Sequence, residues 1–133
     1  LFGRRDKRIG REDMMNAVKQ DVEKSREEKI RKIGRHYGYD AQSRQCIEEM
    51  AELTQAINKY WRTELQYGKN LCNPWDGYMP DNSEEYYNLV EEIADVQIML
   101  EQMKFFLSAG HDVNHIIDEK LDRQMWRIEN EHD

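Results

Sequence analysis

Proline is almost missing from this chain: Pro74 and Pro80 are the two in 133 residues. Proline removes a backbone donor and clashes with the preceding turn, so it is the strongest breaker of helices. Everything before residue 74 and after residue 80 is free of it, and a mostly helical protein follows. Cysteine is equally scarce. Cys46 and Cys72 are too few for a disulfide framework, so reduced thiols and a cytoplasmic location are expected. No stretch approaches the ~18 apolar residues of a membrane span. The basic N-terminus is not followed by an apolar segment, so no secretory leader is expected. Apolar residues are themselves thin, 38% against 35% charged. The length fits one domain. So low an apolar supply suits long helices with polar faces, and at least a dimer is expected, since a partner copy would enlarge the core.

Net charge is −7, but it is unevenly placed. Residues 1–35 hold 12 Lys/Arg and 7 Asp/Glu, a balance of +5, which leaves 8 against 20, or −12, for residues 36–133. The chain therefore divides into a basic N-terminal tail and helix (1–35) and an acidic helical domain (36–133). Phosphate backbones need cationic surface, so the acidic body argues against nucleic acid as the main ligand. A single nucleotide bridged by metal ions remains compatible with it. The basic run Arg4, Arg5, Lys7, Arg8 and Arg11 reads as a solvated tail.

Four helices are predicted, arranged as an antiparallel four-helix bundle. The first spans 12–33, with Met15, Val18, Val22, Ile30 and Ile33 as a narrow stripe, and is closed by Gly34 and Gly38. The second runs over 41–65, with Asp40 as its cap. In it Ile47, Met50, Thr54, Ile57 and Trp61 recur at steps of 3, 4, 3 and 4, which marks a buried face. A connection over 66–82, long and rich in turn formers, is a candidate binding loop. The third helix starts at Asn82 or Ser83, Asn82 and Glu85 having the form of a capping box. Leu89, Ile93, Val96, Leu100, Met103 and Leu107 form its stripe, and Gly110 is expected to end it. The fourth, capped by Asp112 and running to about 128, directs Val113, Ile116, Ile117, Leu121, Met125 and Ile128 inward.

Within this pattern the second and third helices carry paired acids. Residues three and four apart on a helix are surface neighbours. Glu49 and Glu52 thus share a direction, Glu48 lies close beside Glu52, and Glu92 lies near Asp95. Like charges on one face destabilise a helix by a few tenths of a kcal/mol per pair, so such sets are either solvated or hold a cation. Glu48, Glu49 and Glu52 fall opposite the apolar stripe, which favours solvation. Leu53, Ala56 and Tyr60 share their side, however, and a helix apolar nearly all round is buried between neighbours. That would put the acids in an interior cleft. Hard cations such as Mg²⁺ take oxygen ligands and leave room for substrate phosphates. A spare carboxylate such as Glu48 could orient or deprotonate a water.

The segments Glu48-Glu49-Met50-Ala51-Glu52-Leu53 and Glu92-Ile93-Ala94-Asp95-Val96 resemble the EExxE and ExxD motifs of the MazG-like, all-α nucleoside triphosphate pyrophosphohydrolases. Lys120-Leu121-Asp122-Arg123 resembles the KxxR segment of the family's last helix, and the likeness spans residues 40–128. The resemblance implies a helical oligomer, a homodimer or homotetramer, in which Glu49, Glu52, Glu92 and Asp95 ligate Mg²⁺. It implies phosphate contacts from Lys120 and Arg123, a catalytic role for Glu48 or Glu49, and cleavage of an NTP to NMP and pyrophosphate. The 39 residues between Glu52 and Glu92 exceed the family's usual spacing, and the excess falls in the 66–82 connection.

For a base, Trp61, Trp75 and Tyr78 offer stacking faces and Asn73 a hydrogen-bonding edge, although Trp61 also continues the stripe of the second helix and reads first as core. His111 and His115 have the spacing of half a zinc site but no third ligand nearby, and read as surface residues. Two alternatives stand beside the triphosphate reading. One keeps fold and metal and takes phosphoribosyl-ATP as substrate. The other is a non-catalytic helical interaction module whose acids are solvated.

Overall fold

A computed structural model of the chain describes residues 10–67 and 84–131. Among them every regular element is helical: α1 (Arg11–Tyr37), α2 (Tyr39–Tyr67), α3 (Glu84–Phe106) and α4 (Gly110–Glu129). The helix boundaries follow local chemistry. Gly38 alone separates α1 from α2, with φ 86° and ψ 164°, a region essentially confined to glycine. Its N–H donates to the Gly34 carbonyl at 2.8 Å, closing α1, and its own carbonyl accepts from the Gln42 N–H at 3.1 Å, opening α2. Asp40, expected as the cap of α2, lies one residue inside it, and its carbonyl accepts the Ser43 hydroxyl at 3.0 Å. Gly110, expected to end α3, instead begins α4. The left-handed residue after α3 is Ser108, with φ 50°.

The core is the antiparallel seam between α2 and α3, by far the most extensive contact in the chain. On α2, Gln42, Cys46, Ala56 and Tyr60 are buried, and Glu49 and Leu53 are half-buried. These six recur at steps of 4, 3, 4, 3 and 4, which at about 100° per residue keeps them on one narrow face. Val96, Met99 and Gln102 are buried on α3, with Glu92, Asp95 and Met103 half-buried. Gln42 Nε2 donates to Gln102 Oε1 across the seam at 2.7 Å.

The last turns of α1 cover that end of the seam, where Ile30 and Gly34 are buried. A Cβ at Gly34 would lie 3.3 Å from the Phe106 ring and 3.8 Å from Gln102 Cδ, so the bare backbone is what lets α1 approach α3. The Arg31 and Arg35 guanidiniums stand 5.8 and 5.1 Å from the Phe105 ring centre, and Tyr39 meets Phe106 edge-on. α1 continues through residue 35 without a break, so its end belongs to the packing of the helical domain.

The stripe expected to be buried on α2 faces outward. Ile47 is 64% exposed, Ile57 51% and Trp61 56%. The buried face lies about a quarter of a turn away, where Gln42, Cys46 and Glu49 replace aliphatic residues. The same rotation holds on α3, with Ile93, Leu100 and Leu107 exposed while Val96 and Met103 of the expected stripe turn inward. α4 touches α3 and no other described helix. Its first turn holds the half-buried Val113, whereas Ile116, Ile117, Leu121, Met125 and Ile128, expected to point inward, are exposed. The predicted connection falls outside the described residues from position 68, as do Asn82 and the basic run at 4–8. No described helix is long and apolar enough to cross a membrane.

Because nothing lies within 4 Å of a Cβ at Gly38, its replacement tests backbone strain alone. Gly38→Ala should lower the unfolding free energy by about 1–3 kcal/mol in urea titration, without change in helical content.

Candidate metal centre

Glu49 on α2 and Glu92 and Asp95 on α3 meet in the middle of the seam. One carboxylate oxygen from each lies within 4.8 Å of the others, and all three residues are half-buried. The packing explains the meeting. Glu49 occupies the buried face between Cys46 and Leu53, one helical turn from each, so folding α2 onto α3 carries it inward whatever its charge. Glu92 and Asp95, three apart, flank the same line on α3, next to Val96.

The oxygens are only partly satisfied. Glu49 Oε1 accepts from Gln45 Nε2 at 2.8 Å, whereas Glu49 Oε2 and Glu92 Oε2 are buried with no hydrogen-bond partner among the described residues. Burial pushes the Glu92 carboxyl above its ordinary range, and Glu52, Asp95, Glu49 and Glu91 push it further. Asp95 is raised by burial first, then by Glu49 and Glu91. The groups acting on both are carboxylates, and no cationic side chain among the described residues offsets them. Removing charged oxygens from water without a counter-charge is unfavourable, and a cation or protons relieve it.

This donor set suits a hard cation. Oxygens bound to one Mg²⁺ at 2.0–2.1 Å are about 2.9 Å apart when cis and about 4.2 Å when trans, so three oxygens within 4.8 Å of one another would draw together to share one ion. Cys46, one turn from Glu49, is buried and its thiol is pushed up by desolvation, which keeps it protonated and leaves the ligand set all oxygen.

The expected site residues divide clearly. Glu49, Glu92 and Asp95 are together. Glu52 is exposed and lies close enough to act on Glu92 electrostatically, without joining the triad. Glu48 is exposed, on a different side of α2 from Glu49. Lys120 and Arg123 are exposed on α4, without an ion-pair partner among the described residues, and neither is among the groups acting on Glu92 or Asp95. Trp61 is exposed; Asn73, Trp75 and Tyr78 lie outside the described residues. His111 and His115 are exposed as expected, and His115 Nε2 stands 3.2 Å from Glu119. Two participants were not singled out from the sequence. Glu91 raises both α3 acids, its signal being adjacency to Glu92. Gln45 holds Glu49, its signal being the i, i+4 spacing of an amide and a carboxylate.

A carboxyl whose pKa is raised by folding binds its proton more tightly in the folded chain. Glu92 and Asp95 therefore cost stability at neutral pH, and that cost is recovered as pH falls through their raised folded values, fully so below the unfolded range of about 3.9–4.3. Without metal, the rise in melting temperature between pH 7 and pH 5 should be smaller in Glu92→Gln than in the unaltered protein. Equal slopes in scanning calorimetry would mean that Glu92 does not contribute.

Comparison of the chain with protein-family models, with curated proteins and with solved structures returns no match.

Proposed function

We propose that this chain is a Mg²⁺-dependent nucleotide pyrophosphohydrolase of the MazG-like type, cleaving a (d)NTP between its α and β phosphates to give (d)NMP and pyrophosphate. The observation that carries the reading is the triad of Glu49, Glu92 and Asp95 drawn together from two helices, with two buried oxygens left unpartnered. Together with the order of the motifs along the chain, it supports these three as the ligands, with the exposed Glu52 as the further candidate beside Glu92. Bound Mg²⁺ supplies charge neutralisation at the phosphoanhydride and acidifies an attacking water. Gln45 fixes the orientation of Glu49 through its 2.8 Å hydrogen bond. Glu48 and Glu49 are the candidates to hold the water proton. Lys120 and Arg123, three apart on α4 and free of ion pairs among the described residues, are assigned to the phosphates, which requires α4 to lie across the acid set in the assembled protein. Trp61, Trp75, Tyr78 and Asn73 are kept as the base-reading set.

Incubation with a panel of (d)NTPs, phosphoribosyl-ATP included, should release pyrophosphate from at least one in Mg²⁺ and from none in EDTA. Glu49→Gln and Asp95→Asn should each lower kcat beyond the roughly 10–100-fold typical of residues that merely support a ligand. Turnover surviving both changes would remove the site assignment. No turnover, with a melting temperature indifferent to Mg²⁺, would leave the helical interaction module.

We further assign the outer apolar faces of α2, α3 and α4 to other copies of the chain. The buried hydrophobic residues among those described are six: Ile30, Cys46, Ala56, Tyr60, Val96 and Met99. A domain with so small a core is marginal alone, and pairing the faces that hold Ile57, Trp61, Ile93 and Leu100 would complete a four-helix bundle. Light scattering should give two or four times 16.1 kDa. Ile57→Lys should shift the mass toward the monomer, and a monomeric parent protein would defeat the assignment.

A further inference from the structure

We infer that the Gln42–Gln102 pair is a positioning device that sets the sliding register of α2 against α3 and thereby assembles the acid triad. The inference rests on the metal-site reading only in what the register is for; the register itself is a property of the apo fold.

In an antiparallel helix pair, opposed residues have numbers of constant sum. Gln42 and Gln102 sum to 144, and so do Glu49 and Asp95. Both pairs therefore belong to one register, seven residues apart on each helix, or about 10.5 Å along the seam. Sliding α3 by one heptad in one direction sets Asp95 against Ala56 and leaves Gln42 facing position 109, beyond the end of α3. In the other direction Asp95 faces Gln42, Glu49 faces Asn88, and Gln102 passes the start of α2. Either slip breaks the amide pair and scatters the acids together.

The apolar contacts of the seam do not choose among these registers. Ala56, Leu53, Val96 and Met99 are non-directional neighbours, and the triad, with its mutually repelling carboxylates, opposes the register that forms it. The amide hydrogen bond is directional, made at 2.7 Å between side chains 8% and 0% exposed. It is also a poor source of stability, because Gln102 Nε2 is buried with no acceptor among the described residues. A buried polar contact that costs stability and fixes alignment is the best-attested use of such groups in helix pairs. Gly34 of α1 lies against Gln102, which has no exposed surface.

The test uses the full chain carrying Cys72→Ser, with spin labels at Gln55→Cys on α2 and Gln97→Cys on α3, both exposed, diluted with unlabelled protein. Pulsed electron resonance should give one narrow distance in this parent. In the Gln42→Leu/Gln102→Leu double variant, helical content and melting temperature should be kept or raised, while the distance broadens or moves to a value set by a slide of one heptad, about 10.5 Å along the seam. Mn²⁺ affinity in the same variant should fall at least tenfold. A distance as narrow as the parent's and at the same value overturns the inference. Should the double variant lose helix, Gln42→Met alone, which removes the donor, is read by the same criterion. If the distance spreads but the parent itself binds no Mn²⁺, the register device stands and the metal reading fails.

Discussion

Everything in this fold depends on carboxylates sharing a helix face with the apolar residues that must be buried. Glu49 sits in the row that α2 turns toward α3, so the contact that gives the chain its core also draws a charge out of water. Glu92 and Asp95 come with the other helix, and the proton affinity of both is raised, first by burial and then by neighbouring carboxylates that include Glu49. A seam of this kind is stable because its two ends are neutral and packed: Gln42, Cys46, Met99 and Gln102 on one side of the triad, Ala56 and Tyr60 on the other. Its centre is left under an electrostatic load. Protons or a cation relieve that load, and a divalent ion among oxygen ligands does so while leaving coordination positions for phosphate.

The other described helices are arranged around that seam without closing over it. α1 reaches it through two turns, made possible by a glycine where its backbone meets Phe106 and by a second glycine that reverses the chain into α2. α4 is amphipathic and largely unpacked. The outer faces of α2 and α3 carry aliphatic and aromatic rows as regular as those inside. A helix with two apolar faces suits two neighbours; among the described residues only one face of α2 and of α3 is covered, and the proposed partner copies would cover the other.

How far the sequence could be read differs from face to face. The helices themselves were plain, because proline scarcity and spacings of three and four survive any packing. The acid triad was half legible. The side of α2 that carries Leu53, Ala56 and Tyr60 reads as buried despite its acids, and Glu49 lies there, whereas Glu48 and Glu52, its expected companions, are exposed. The buried stripe differs from the expected one for a physical reason. The inner face of α2 holds Gln42, Cys46 and Glu49 where the outer one holds Ile47, Met50 and Ile57, so hydropathy favours the row that a single chain leaves in solvent.

The sequence by itself determined that this protein is helical, where its helices run, and that acids recur at helix spacing on two of them. Those properties are local, fixed by backbone geometry and by neighbours within one turn. Tertiary structure decided which of two apolar faces pairs, which acids cross the seam to meet, and in what register. No local rule reaches these choices, since each depends on a side chain some 40–60 positions away: Glu49 finds Glu92 and Asp95, and Gln42 finds Gln102, only when the two helices are laid side by side.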